Sequence, residues 1–118
     1  MSKRAMYADT LRQTPRGAWP EYLTEHSGLP GPRANLELMQ AVADVGDQGD
    51  FDALISGGDE YLVCCGVVGL GALLAAAADE QLVTRLRTHA SDERWRVREA
   101  VAMALQRLSD ADPARLAT

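Results

Sequence analysis

The chain of 118 residues is long enough for one domain with a hydrophobic core and too short for two ordinary domains. Apolar residues make up 47% and charged residues 25%, as in soluble globular proteins, and the aromatic content of only 5% favours closely packed helices over a sheet. The net charge of −5 argues against general nucleic-acid binding, which usually needs a surplus of positive charge.

The charges are unevenly distributed along the chain. Residues 34–80 carry nine acidic and no basic residues, whereas residues 1–33 and residues 81–118 each carry a net charge of +2. The last block holds seven arginines and alone could supply a basic patch. The two cysteines, Cys64 and Cys65, are neighbours that cannot form a disulfide within one helix. With no apolar signal core near the start of the sequence, these features predict a cytoplasmic protein.

Proline and glycine interrupt the N-terminal part, which is predicted to be a helical extension covering residues 1–32. A first helix is expected over residues 3–13. A second short helix is expected to start at Pro20, whose fixed φ suits the first helical position, and to end at Gly28. Pro32 is placed to open the next helix. An apolar patch on the second helix is predicted from Trp19, Tyr22 and Leu23.

From residue 33 onward, apolar residues recur at helical spacing in five successive segments, short and long in alternation after the first. Shifting residues 80–108 back by 32 places Val83 on Phe51 and Leu105 on Leu73. A helix pair, short then long, therefore recurs about every 32 residues, which is typical of an α-solenoid. One apolar face of the last long helix is predicted to hold Val97, Ala100, Val101, Ala104, Leu105 and Leu108.

Residues 61–78, YLVCCGVVGLGALLAAAA, contain no charge. A membrane span needs about 20 strongly apolar residues and usually Lys or Arg at one flank, whereas this stretch is rich in Ala and Gly and lies between two acidic pairs. Gly66, Gly69 and Gly71 reverse the order of a dinucleotide-binding fingerprint and follow no predicted strand. The stretch is therefore predicted to be a helix buried on all sides, with glycines that let neighbouring helices approach closely.

No metal, cofactor or catalytic site is predicted. The chain has two histidines and no Cys-x-x-Cys or His-x-x-x-His spacing, so buried structural cysteines are the favoured interpretation. The acidic segment DVGDQGDFD lacks the alternating spacing and the terminal Glu of a calcium loop. Its carboxylates are interpreted as helix caps, with Asp47 or Asp50 before one helix and Asp59 before the next.

The segment WRVREAVAMALQRL (95–108), preceded by Ser91-Asp92-Glu93, resembles the second helix of a HEAT repeat, which combines an acidic turn, a Val-Arg pair, small residues and a Leu. SGLPGPRANLEL and CGVVGLG are similar to segments of bacterial HEAT-repeat proteins of largely undefined function. The resemblance implies an all-α fold over residues 33–118, a right-handed α-solenoid of HEAT-type helix pairs with about two full repeats and partial terminal units.

This chain departs from the HEAT pattern at the arginine that often joins a ladder of polar contacts between repeats. That residue corresponds to Arg98, but its counterparts in the preceding units are Gly66 and Asn35. The resemblance therefore does not imply a continuous ladder here.

The segment ADPARLAT (111–118) begins the pattern of a further short helix and ends inside it. A solenoid needs a polar capping unit, because a single repeat cannot bury its apolar face alone. We therefore expect the solenoid to be truncated at its C-terminus, as in an N-terminal portion of a longer protein, or its uncapped C-terminal repeat to be covered by a protein partner or by self-association.

The Arg-rich C-terminal helices are the candidate partner-binding site, because Arg and Trp are enriched in binding hot spots; a purely structural role is the alternative. These features favour a non-enzymatic scaffold or protein–protein interaction module. One alternative function is nucleic-acid binding by a basic face, as in HEAT-like DNA repair glycosylases. A second is an enzyme or enzyme partner related to HEAT-type phycobilin lyases, although no polar catalytic constellation marks a tetrapyrrole pocket. The candidate residues for partner binding are Arg85, Arg87, Arg94, Trp95, Arg96 and Arg98.

Overall fold

A computed structural model describes residues 1–111, and within that range every regular element is helical. The prediction of an all-α fold is thus confirmed for this part of the chain. The predicted start of a further helix at 111–118 lies outside the described residues, apart from Ala111. The elements are α1 (Lys3–Gln13), a 3₁₀ helix (Arg16–Ala18), α2 (Trp19–Glu25), α3 (Leu36–Val45), α4 (Gln48–Ser56), α5 (Glu60–Ala76), α6 (Glu80–Ala90) and α7 (Trp95–Ala111).

Aspartates cap three successive helices. Asp47 and Asp50 form a capping box at the start of α4, in which each side chain accepts a hydrogen bond from the other residue's backbone N–H at 2.9 Å. Asp59 caps α5 and Asp79 caps α6 by accepting backbone N–H groups of the first turn. The interpretation of the acidic segment as helix caps is therefore confirmed for Asp47, which precedes α4, and for Asp59, whereas Asp50 lies inside α4 and completes the capping box.

Helix α5 lies at the centre of the molecule, in contact with α3, α4 and α7. From Tyr61 to Gly71 every residue except Leu62 is buried, including both cysteines. A helix with neighbours on several sides has no face for charged residues, since an unpaired buried charge would lose its hydration. This packing explains the uncharged stretch and confirms its prediction as a buried helix.

The glycines of α5 lie where neighbouring helices approach most closely. A Cβ on Gly66 would contact Ile55, and one on Gly69 would overlap the Phe51 ring, both on α4. On the other side of the helix, a Cβ on Gly71 would lie 2.5 Å from the Cα of Ala104 in α7. The prediction that these glycines permit close helix packing is confirmed.

The N-terminal helices share the hydrophobic core of the later ones. Helix α1 packs on α3, and its predicted range of 3–13 is confirmed. In α2, Trp19 and Leu23 are buried, and the Trp19 indole Nε1 donates to the backbone oxygens of Leu11 (3.2 Å) and Thr14 (3.1 Å). The buried residues of α1 and α2 therefore belong to the same hydrophobic core as those of the later helices.

The connection between α2 and α3 is longer than predicted. Pro32 does not open α3, which begins at Leu36. The backbone N–H of Asn35 donates to the backbone oxygen of Ser27 at 2.8 Å and closes the loop, while the Asn35 side-chain oxygen accepts a hydrogen bond from the backbone N–H of Leu38 at 3.2 Å. Asn35 is therefore the N-cap, and Gly28 lies within the loop at a φ of +80°, which favours glycine.

Asp44 of α3 connects three helices. It accepts hydrogen bonds from Arg4 of α1 (2.6 and 2.7 Å) and from Arg107 of α7 (3.1 Å). Burial raises the pKa of the Asp44 carboxyl, but the hydrogen bonds from Arg4 and Arg107 outweigh it and hold the pKa below its usual value. The Asp44 carboxylate thus links α3 to both α1 and α7, which are far apart in the sequence.

The apolar face predicted for α7 is largely correct. Val97, Ala100, Val101, Ala104 and Leu108 are buried, as expected from their helical spacing. The prediction is wrong for Leu105, whose side chain is 38% exposed. It lies at the edge of the apolar face. Within the described part of the chain, no helix packs over α6 and α7 at this edge.

Candidate functional site

Arg94, one of the predicted partner-binding arginines, links two turns of the protein. Its backbone N–H and guanidinium donate to the Asp92 carboxylate at 2.8 to 3.1 Å, and Nη1 donates to the Gly58 oxygen at 2.8 Å. Hydrogen bonds from the Arg94 side chain and backbone lower the pKa of Asp92 to about 2. Arg94 therefore holds the turn before α7 against the turn before α5.

Arg96 joins the loop after α2 to the start of α5. Its Nη2 donates to the Gly31 oxygen at 3.3 Å, and its Nη1 lies 3.6 Å from the Glu60 carboxylate. The guanidinium carbon lies 4.7 Å from the centre of the Trp95 ring, within the range of a cation–π contact. Arg96 is mostly buried, so its charge is directed into the protein.

Arg98 and Arg85 are also bound within the molecule. Arg98 Nη1 donates to the backbone oxygens of Asp92 (2.7 Å) and Glu93 (3.0 Å), so it covers the turn before its own helix. Arg85 forms an ion pair with Asp52 of α4 at 2.7 Å. Four of the six predicted binding residues therefore contact turns or carboxylates of the protein itself.

Arg87 and Trp95 are the two candidates that face solvent. Within the described part of the chain, the Arg87 side chain forms no hydrogen bond or ion pair and is exposed. The Trp95 side chain is 51% exposed, beside Arg96. The structure thus brings four of the candidates together at the start of α7, namely Arg94, Trp95, Arg96 and Arg98. Arg87 lies apart from them, on the solvent-exposed side of α6.

Arg87 lies on the rim of an apolar groove between α6 and α7. The cavity has a volume of about 450 Å³. Its floor is formed by buried aliphatic side chains of three helices, whereas Val83 and Leu105 on its walls are partly exposed. Its lining residues are Leu74, Ala78, Asp79, Glu80, Val83, Leu86, Arg87, Ala90, Val101, Leu105 and Leu108.

The residues of this groove were not predicted as a site. The sequence predicts an uncapped C-terminal face, but its pattern also predicts a buried Leu105, whereas that side chain is 38% exposed on the groove. One feature of the sequence does indicate the groove. In α6, Val83 lies three residues after Glu80 and four residues before Arg87, so an apolar residue shares a helix face with two charged residues. Such a face is only partly buried, and the groove forms beside it.

A second cavity, of about 430 Å³, lies between the loop after α2 and the start of α5. Asp59, Glu60 and Arg96 contribute opposite charges to its lining, and the Arg96 guanidinium is bound there to Gly31 and Glu60. The cavity is thus part of the contact between α2 and the central helices.

The adjacent cysteines do not form a reactive site. Burial raises the pKa of the Cys64 thiol to about 12 and that of Cys65 well above its usual value. A thiol of this kind stays protonated and is a poor nucleophile. Across residues 1–111, no three His, Cys, Asp or Glu side chains converge as a metal site would require.

No helix within residues 1–111 has the length and apolar character needed to cross a bilayer. Comparisons with protein-family models, with curated proteins and with solved structures gave no match.

Proposed function

We propose that this chain is a non-enzymatic protein-interaction module of HEAT type, which presents the groove between α6 and α7 to a helical segment of a partner. The observation that carries the proposal is the groove itself, with its volume of about 450 Å³ and its floor of aliphatic side chains. Grooves of this kind receive amphipathic helices, whose apolar side chains recur every three or four residues.

Two features of the packing support the HEAT-type solenoid. The long helices α5 and α7 each follow a shorter helix and pack against it. The helices α3, α5 and α7 also contact one another in that order, so each unit packs on the next. A further helix pair stacked in the same direction would cover α6 and α7, which is where the groove lies.

The charges on the rim define the kind of helix that fits. Glu80 lies in the first turn of α6 and Arg87 in its last turn, both on the rim. A partner helix should therefore carry a basic residue near Glu80 and an acidic residue near Arg87, with apolar residues between them. Complementary charges at an interface set orientation and specificity more than affinity.

The arginines at the start of α7 support the binding surface indirectly. Arg94 and Arg98 stabilise the turn from which α7 begins, and Arg96 fixes α7 to the loop after α2. Trp95, half exposed on the same turn, offers a second contact for a partner. We therefore assign binding to the groove and to Trp95, and a structural role to the three arginines.

The experiment that tests this function compares two variants of equally exposed leucines. Leu105→Glu introduces a charge into the groove, whereas Leu36→Glu does so at the start of α3, outside the groove; the two side chains are 38% and 40% exposed. Circular dichroism first checks that both variants are folded. The wild type and each variant are then used as bait in a pull-down from an extract of cells that produce this protein. Calorimetry measures how tightly each of them binds the purified protein that the wild type captured.

Wild type and Leu36→Glu should retain the same partner with the same Kd. Leu105→Glu should weaken binding by about tenfold or more, because a buried unpaired charge costs at least about 1.4 kcal/mol. Equal binding by both variants would contradict the proposed function of the groove.

A further inference from the structure

The face of α6 that borders the groove carries one charge of each sign. Glu80, Val83, Arg87 and Ala90 follow one another at spacings of three and four residues, so they form a single stripe, and all four line the groove. Glu80 and Arg87 are exposed, and neither side chain has an ion-pair partner among residues 1–111. Arg85 on the same helix is turned towards α4, where it pairs with Asp52.

We propose that the helix received by the groove is α6 of a second copy of this chain, packed antiparallel across a two-fold axis near Val83. In such an isologous interface the same surface is used twice, so it must be complementary to itself. The α6 stripe meets this requirement, because reversing its direction places Glu80 opposite Arg87 of the second copy. The same contact occurs a second time, with the two chains exchanged.

The spacing of the two charges agrees with this pairing. Residues 80 and 87 are separated by seven positions, or about 10.5 Å along the helix, and the midpoint between them falls beside residue 83. Val83 would therefore meet its own copy at the axis, between the two ion pairs. Leu105, which is partly exposed on the other wall of the groove, would gain an apolar contact.

The parallel arrangement of α6 helices is disfavoured by the same residues. It would bring Glu80 next to Glu80 and Arg87 next to Arg87, and like charges at an interface oppose association. The charges thus select one orientation. The helices of this face are short, roughly 16 Å for α6 and 25 Å for α7, so the interface is small and the dimer should depend on concentration.

This inference rests on the proposed function, because it assigns an occupant to the same groove. It is tested by sedimentation velocity on the full 118-residue chain over a wide range of concentrations. The wild type should shift from monomer to dimer. The variants Glu80→Arg and Arg87→Glu should each weaken the dimer by about tenfold or more, since each places two like-charged pairs in the interface.

An equimolar mixture of Glu80→Arg and Arg87→Glu provides the decisive measurement. One chain then carries two arginines and the other two glutamates, so both contacts are again between opposite charges, and a heterodimer should form. Gln81→Arg and Thr88→Glu are matched controls, because they place the same charges on exposed residues of α6 that do not line the groove. Thermal unfolding checks that every variant is folded, and both controls should dimerise like the wild type.

A wild-type chain that stays monomeric, or a dimer that both charge reversals leave unchanged, would overturn the second copy as occupant. If Leu105→Glu nevertheless loses a different protein that Leu36→Glu retains, the proposed function stands and this inference alone fails. If neither the charge exchange nor Leu105→Glu changes any association, both fail. Occupation of the groove by residues 112–118 of the same chain would also leave the mixture of variants monomeric and would overturn the inference.

Discussion

Gly71 of α5 faces Ala104 of α7 at a distance that leaves no room for a side chain. A Cβ built on Gly71 would lie 2.5 Å from the Cα and 2.7 Å from the Cβ of Ala104. The first of these contacts is with backbone, so rotation of a side chain cannot relieve it. The two longest helices of the described chain therefore pack at a separation that only a small pair of residues allows.

Gly71→Ala is expected to destabilise the protein by about 1 to 3 kcal/mol, because the added methyl group forces α5 and α7 apart. Gly49→Ala is the matched control. Gly49 is an exposed glycine of α4, and a Cβ there would approach Asp47 Oδ1 only to 3.4 Å. That substitution should be neutral or stabilise the helix by up to about 1 kcal/mol. Urea unfolding of both variants measures the difference, and equal stabilities would contradict the close approach.

The Asp92–Arg94 contact predicts a pH dependence of stability. Hydrogen bonds from Arg94 lower the pKa of Asp92 to about 2 in the folded protein, against about 3.9 for an unfolded chain. The contact therefore stabilises the fold fully above about pH 4, and this contribution is lost as the pH falls towards 2. Asp92→Asn should lower the Tm at pH 7, and its difference from the wild type should vanish near pH 2.

Glu93→Gln is the control for that measurement, since the neighbouring Glu93 carboxylate is exposed and forms no hydrogen bond within residues 1–111. Its Tm should follow the wild-type curve across the same pH range. A constant difference between Asp92→Asn and the wild type from pH 7 to pH 2 would show that the carboxylate charge does not matter.

Both cysteines should be unreactive in the native protein. Cys64 and Cys65 are fully buried, and burial raises the pKa of the Cys64 thiol to about 12. We expect a thiol reagent such as Ellman's reagent to label neither residue at pH 8 until denaturant unfolds the chain, after which both should react. Rapid labelling of the folded protein would show that α5 is more accessible than the structure indicates.

Two leucines of α7 should differ in their contribution to stability. Leu108 is 5% exposed, so Leu108→Ala should cost about 2 to 5 kcal/mol through lost burial and an internal cavity. Leu105 is 38% exposed on the groove, and Leu105→Ala should cost about 1 kcal/mol or less, because the free energy scales with the apolar area removed from water. Chemical denaturation of the monomeric chain at low concentration tests both values; a larger cost for Leu105→Ala would place that residue in the core.

Replacing Arg96 and replacing Arg87 should have different effects on stability, because Arg96 is bound within the protein and Arg87 is exposed. Arg96→Ala removes the contacts with Gly31 and Glu60 and should lower stability by about 1 kcal/mol. Arg87 has no partner within residues 1–111, so Arg87→Ala should change the free energy of unfolding by no more than about 0.5 kcal/mol. Comparable losses of stability in the two variants would contradict a structural role for Arg96 that Arg87 lacks.

Much of the helical structure can be predicted from the sequence alone, because helix formation depends on local chemistry. Aspartates at the ends of acidic turns cap α4 and α5, and apolar residues at a period of 3.6 identify the buried side of α7. The uncharged stretch identifies α5 as the helix with neighbours on several sides. The start of α3 was missed, because the Asn35 cap depends on a loop closed by Ser27, which no local pattern indicates.

The positions of the candidate binding residues depend on the tertiary structure. Arg94 bonds to a turn 36 residues earlier and Arg96 to one 65 residues earlier, and such contacts cannot be read from spacing along a helix. Arg87 and Leu105 stay exposed for the same reason, since exposure depends on which helices lie beside them. Periodicity shows which side of a helix is apolar, but only the packing of the whole chain shows how much of that side is covered.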